Sequence, residues 1–140
     1  MTTNVQIALD CANPHRMADF WAGALHCEVE RNDDAIRSLL EAGVATEADV
    51  MELDGGLVWR EAAACEDPTG RLPRMYFQLV PEPKSVKNRV HLDIHVGADE
   101  RDAEVERLLA LGATRLYEGH QGPHSWITMA DPEGNEFCVA

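Results

Sequence analysis

Val5, Ile7 and Leu9 alternate with Gln6, Ala8 and Asp10, the period of a strand with one apolar face. Asn13 then stands where a helix cap is wanted, and Pro14 takes the first helical position. Met17, Phe20, Trp21, Ala24 and Leu25 recur at helical spacing and predict one buried stripe. A second short helix is expected over 33–42, striped by Ile36, Leu39 and Leu40, with Gly43 past its end. Residues 49–60 read as a hairpin around Asp54-Gly55-Gly56, and Asp67-Pro68-Thr69-Gly70 reads as a turn. Over 74–80, Met75, Phe77 and Leu79 share one strand face and Tyr76 and Gln78 the other. Pro81 and Pro83 end that pattern and mark a linker over 81–88.

The second half repeats the order. RVHLDIHV (89–96) alternates Val90, Leu92 and Ile94 with His91, Asp93 and His95. Asp99 is placed to cap a helix bearing Val105, Leu108 and Leu109, closed by Gly112. Strands are predicted over 113–118, 125–130 and 136–140, with a loop through EGHQGPHSW and a turn at Asp131-Pro132-Glu133-Gly134-Asn135. Laying His91 on Gln6 also lays Asp93 on Ala8 and His95 on Asp10, and a helix follows both segments. The repeat is one of pattern, with negligible identity. It predicts a single domain over 1–140 made of two modules, 1–84 and 85–140.

Composition narrows the function. With 140 residues, 45% hydrophobic and 26% charged, the chain can bury a core without staples. A net charge of −13 repels phosphate, which argues against nucleic acid and anionic membrane surfaces as partners and favours cationic small molecules. No apolar window is long enough for a membrane span, and the first residues lack the basic flank of a secretory signal. Cys11, Cys27, Cys65 and Cys138 form no C-x-x-C pair, so neither a zinc framework nor a disulfide scaffold is indicated, and a cytoplasmic location with free thiols is expected.

Three segments carry a resemblance: the first strand with NPHRMADFWAGAL, then KNRVHLDIHV, and finally WITMADPEGNEFCV. Together they resemble the vicinal oxygen chelate superfamily of glyoxalases, bleomycin-resistance proteins and extradiol dioxygenases, and in particular its glyoxalase-like domain proteins. The resemblance implies an α+β fold of two βαβββ modules whose mixed sheet curves into a cup, with helices outside. It also implies a homodimer with a small-molecule site inside the cup. Carried over position by position, the family's metal ligands fall on Gln6, Gln78, His91 and Cys138. Gln78 and Cys138 stand where carboxylates are expected, and Glu136 is displaced by two positions. The implied cofactor is one divalent ion (zinc, nickel, iron or manganese) or none.

Around these positions the residues suggest roles. Glu136 and His91 are the candidate catalytic groups, Glu136 as a general base whose pKa a partly dry cup would raise. Asp10, Tyr76, Asp93, His95, Trp126 and Thr128 share the cup-facing parity and are candidate pocket residues, Tyr76 and Trp126 as aromatic walls. His91, Asp93 and His95 span roughly 13 Å along a regular strand, too far for all three to hold one ion without a bend. Three functions follow: a lyase or isomerase, metal-dependent or not, acting on a small oxygenated substrate; a metal-independent protein sequestering a cationic drug; or a small regulatory or interaction module with an unused cup.

Overall fold

The computed structural model describes residues 1–140 and divides into two compact units, Met1–Pro81 and Glu82–Ala140. In the first unit, β1 (Gln6–Cys11) leads into α1 (Pro14–Leu25), then β2 (Glu28–Val29), α2 (Asp33–Glu41), β3 (Val50–Leu53), β4 (Gly56–Trp59), β5 (Ala62–Glu66) and β6 (Arg74–Leu79). Its main sheet has the order β1-β6-β5-β2, with β1 parallel to β6 and the other pairs antiparallel. β3 and β4 form a separate hairpin. In the second unit, β7 (Asp93–Ile94) precedes α3 (Arg101–Leu111), β8 (Thr114–Gln121), β9 (His124–Ala130) and β10 (Glu136–Val139). Its sheet is β7-β10-β9-β8, with β7 parallel to β10. Both units therefore place their first strand beside their last, and both are βαβββ in outline. The first is longer because α2 and the hairpin lie between β2 and β5. The chain is α+β, with a mixed sheet in each unit, as the resemblance implies.

Local chemistry accounts for the elements. Asn13 caps α1 by accepting from the Arg16 N–H at 3.1 Å, and the helix ends where His26 turns left-handed at φ 56°. Its stripe of Met17, Phe20, Trp21 and Ala24 is buried, with Phe20 and Trp21 edge to face at 5.3 Å. Met75 and Phe77 complete this core from β6, and Ile36 from α2. In the second unit the core is Val105, Leu108, Ile127, Met129, Phe137 and Val139. Gly112, at φ 115°, ends α3 with its N–H bonded to the Leu109 carbonyl at 3.1 Å.

Three expectations are corrected, and one strand lies outside them. The strand over 89–96 contracts to Asp93–Ile94, because Val90 remains 84% exposed and the segment before it is held by other bonds. Helix α3 starts at Arg101 with no side-chain cap, so Asp99 does not cap it. EGHQGPHSW is a tight hairpin and not a loop: His120 pairs with Ser125 and Gln121 with His124, and Gly122 turns at φ 58°. Finally, β5 has the sequence AAACE, which carries too few branched or aromatic residues to announce a strand. It forms because Ala63, Ala64 and Cys65 are buried and β6 supplies its ladder. No helix is long and apolar enough to cross a membrane.

Candidate metal and ligand site

The second unit carries the denser chemistry. Cys138 on β10 stands directly opposite Asp93 on β7, held by hydrogen bonds from the Cys138 N–H to the Leu92 carbonyl (3.0 Å) and from the Ala140 N–H to the Ile94 carbonyl (2.9 Å). His91 stands two residues before Asp93, outside β7. Because the backbone before Asp93 is not regular strand, the ring bends back and its Nδ1 lies 2.8 Å from Asp93 Oδ1. One ligand atom each from His91, Asp93 and Cys138 falls within 4.8 Å of the others. His95 is not one of the three.

These three donors open on a depression of about 570 Å³, also lined by His95, Tyr117, His124, Trp126, Thr128 and Glu136. Thr128 is buried, pairs with Cys138 across the strands, and brings its Oγ1 to 3.7 Å from the sulfur. Burial pushes the Cys138 thiol pKa up; the Thr128 hydrogen bond opposes this, and the Asp93 carboxylate adds to it.

Glu136 does not behave as a poised base. Its side chain is only 16% exposed, yet Lys84 Nζ lies at 3.1 Å and the Asn88 N–H donates at 2.9 Å. Burial alone would raise its pKa. The hydrogen bonds from Asn88 and from its own backbone, with the Lys84 ammonium, outweigh that and bring it down to about 2. The expectation of a raised carboxyl is therefore corrected: the wall is not dry, but lined with donors. Lys84 also donates to the Val86 carbonyl, so Glu136 ties down the segment leading to His91.

Tyr117 was not visible as a pocket residue in the sequence. A bulge between Arg115 and Tyr117 sets Tyr117 opposite Thr128, and nothing in the residue pattern announces that shift. Trp126 lies across from Gly119, and its indole covers that glycine so closely that a Cβ there would meet Cε2 at 2.4 Å. Replacing Gly119 with alanine is expected to push the indole off its seat at a cost of about 1–2 kcal/mol. Denaturant unfolding and Trp fluorescence would check this, and an unchanged Trp126 signal against a Trp126→Phe control would contradict it.

The first unit places Gln6, Asp10, Tyr76 and Gln78 together on the sheet face opposite Met75 and Phe77: Ala8 pairs with Tyr76 and Asp10 with Gln78. Across from Gln6 stands Arg74, whose guanidinium binds Glu30 through two nitrogens (2.5 and 2.8 Å) and donates to Gln6 Oε1 at 2.6 Å. It also lies 5.7 Å from the Tyr76 ring centre. The Arg74 hydrogen bond holds Glu30 below the usual carboxylate range, against burial. A positive group thus already occupies the surroundings of Gln6, which disfavours a second cation there. Tyr76, Arg74, Glu30 and Trp59 border a depression of about 420 Å³ within this unit.

Comparison with known proteins fits this picture. The glyoxalase-like domain profile matches residues 6–140. No curated protein is similar enough in sequence to add to it. Among solved structures, the fosfomycin resistance protein FosX of Mesorhizobium loti superposes with a TM-score of 0.64 at 11% identity, covering 99% of this chain and 90% of that one. A glyoxalase/bleomycin resistance protein/dioxygenase family enzyme from Burkholderia phytofirmans gives 0.63 at 14% identity, covering 96% and 94%. A mutant FosX from Listeria monocytogenes, complexed with Mn(II) and 1S,2S-dihydroxypropylphosphonic acid, gives 0.64 at 13% identity, covering 99% and 91%. At these identities the likeness establishes the fold. With the family match over nearly its whole length, the chain belongs to the glyoxalase-like domain proteins of the vicinal oxygen chelate superfamily.

Proposed function

We propose that the second unit binds a small oxygenated molecule beside one divalent metal ion held by His91, Asp93 and Cys138, in a lyase- or isomerase-type reaction. The observation that carries this is the convergence of the three donors within 4.8 Å at the edge of the 570 Å³ depression. Imidazole, carboxylate and thiol are a chemically sound set for a divalent ion, and three protein donors leave a position for substrate or water. The Mn(II) and diol phosphonate bound by the Listeria FosX support the class of ligand. When bound, the ion would polarise a substrate oxygen as a Lewis acid.

The chain's own residues have separable tasks. Asp93 fixes the orientation of the His91 ring through the 2.8 Å bond at Nδ1. Trp126 and Tyr117 give the ligand apolar faces, and His95 and His124 supply polar groups at the rim. A carboxylate with a pKa of about 2 accepts protons poorly near neutrality, so Glu136 orients its neighbours and holds the 84–88 segment.

The test is divalent metal per chain, by elemental analysis of protein purified without chelator, on the wild type and on His91→Ala. Near-stoichiometric metal in the wild type and its loss in the variant are expected. If the wild type takes up no zinc, nickel, iron or manganese after loading, the metal reading falls, and metal-free capture of cationic compounds becomes the next hypothesis.

A further inference from the structure

Building on the metal reading above, we propose that Cys138 makes this site selective for a thiophilic divalent ion of the zinc class over manganese. The argument starts from backbone geometry. Asp93 and Cys138 are directly paired across parallel strands, and backbone hydrogen bonds beside them hold the two strands at the ladder spacing of roughly 4.8 Å. An oxygen and a sulfur donor are therefore presented side by side by rigid elements. His91 reaches them from the irregular segment, already oriented by Asp93.

Donor softness then decides the ion. Oxygen-rich sites suit manganese and magnesium, whereas thiolate with imidazole suits zinc, and divalent affinities at such sites rise from manganese towards zinc. Three donors and one remaining position match four-coordinate zinc, and manganese at this site would lack the oxygen ligands it prefers. Thr128 adds an independent element. Its hydroxyl is buried, faces Cys138 across the strand pair and lies 3.7 Å from the sulfur, a polar neighbour beside that donor. The residue two positions earlier, Glu136, would have kept the site hard, but Lys84 and Asn88 engage both of its oxygens.

The test uses the full chain stripped of metal. Zn(II) is expected to outcompete Mn(II) by more than about a hundredfold. Cys138→Glu is expected to narrow that ratio by at least about tenfold. Co(II) serves as a spectroscopic probe independent of any activity. The wild type should show a near-ultraviolet thiolate-to-cobalt charge-transfer band, and Cys138→Ser, which retains Cys11, Cys27 and Cys65, should lack it. Circular dichroism of both variants verifies folding, and Cys138→Ser alone suffices if Cys138→Glu unfolds. Co(II) binding without the band, an unchanged band in Cys138→Ser, or equal affinity for Mn(II) and Zn(II) would overturn the selectivity while leaving the metal site standing. If no ion binds the wild type, the metal reading itself fails and this inference with it.

Discussion

Replacing Asp131 with alanine is expected to destabilise the second unit by about 2–4 kcal/mol and to weaken metal binding, although Asp131 touches no ligand. Its side chain is 3% exposed and accepts from the Glu133 N–H (2.9 Å), the Asn135 N–H (3.0 Å) and Asn135 Nδ2 (3.1 and 2.9 Å). Alanine would leave the Glu133 and Asn135 donors of this half-buried turn without their acceptor and remove bonds made to a charged group. The turn it organises joins β9 to β10. Its backbone closes with the Asp131 N–H on the Asn135 carbonyl at 2.9 Å, one residue before Glu136. A loosened turn lets β10 slip, and a slip of one residue would turn Cys138 to the opposite face. Urea unfolding gives the stability, and metal titration of the folded fraction gives the second effect. A variant within about 0.5 kcal/mol of wild type would show that the turn backbone, and not the carboxylate, holds the register.

The second large effect is expected in acid. Glu136 has its carboxyl lowered from 4.5 to about 2 in the folded chain. A group lowered on folding contributes stability that is complete above its unfolded value and is lost as pH falls through its folded value. Comparing wild type with Glu136→Gln by urea unfolding should therefore show a deficit in the variant at pH 7. That deficit should shrink steadily from about pH 5 and close near pH 2. A deficit that stays constant over that range would mean that the carboxylate's charge contributes nothing and that shape alone matters.

Asp131 also shows how far the sequence could be read. The D-P-E-G turn, the Asn13 cap of α1, the Gly112 end of α3 and the alternation over 74–79 are legible because each rests on neighbours within a few residues, whereas the cap expected at Asp99 is not formed. A second repeat went unread: Asp67-Pro68-Thr69-Gly70 joins β5 to β6 just as Asp131-Pro132-Glu133-Gly134 joins β9 to β10. Asp67 accepts from the Thr69 and Arg71 N–H groups and the Thr69 hydroxyl, the same kind of carboxylate-filled turn. That match would have located β5 despite its alanines.

The candidate site was only partly legible. Alternation gave the face shared by His91, Asp93, Thr128 and Cys138, but face is not distance. Asp93 as a donor depends on the chain leaving strand geometry before it, and Tyr117 depends on a bulge. The pKa of Glu136 depends on Lys84 and on the Asn88 N–H, whose approach no local pattern encodes. Parity predicts direction, whereas bond partners far along the chain set charge.

The shared strand order has a kinetic consequence. In each unit the first strand can find its partner only after the last strand exists, so neither sheet can be completed progressively from its beginning. The parallel pairing of β1 with β6 closes a long loop, and such contacts slow folding more than the successive hairpins of β8, β9 and β10. Closure entropy, however, grows only logarithmically with loop length. The segment containing α2 and the β3–β4 hairpin roughly doubles that loop and therefore adds only about 0.6 kcal/mol to closing the first unit. New walls can be inserted between β2 and β5 at almost no thermodynamic penalty, which leaves that stretch free to change while the frame around it stays fixed.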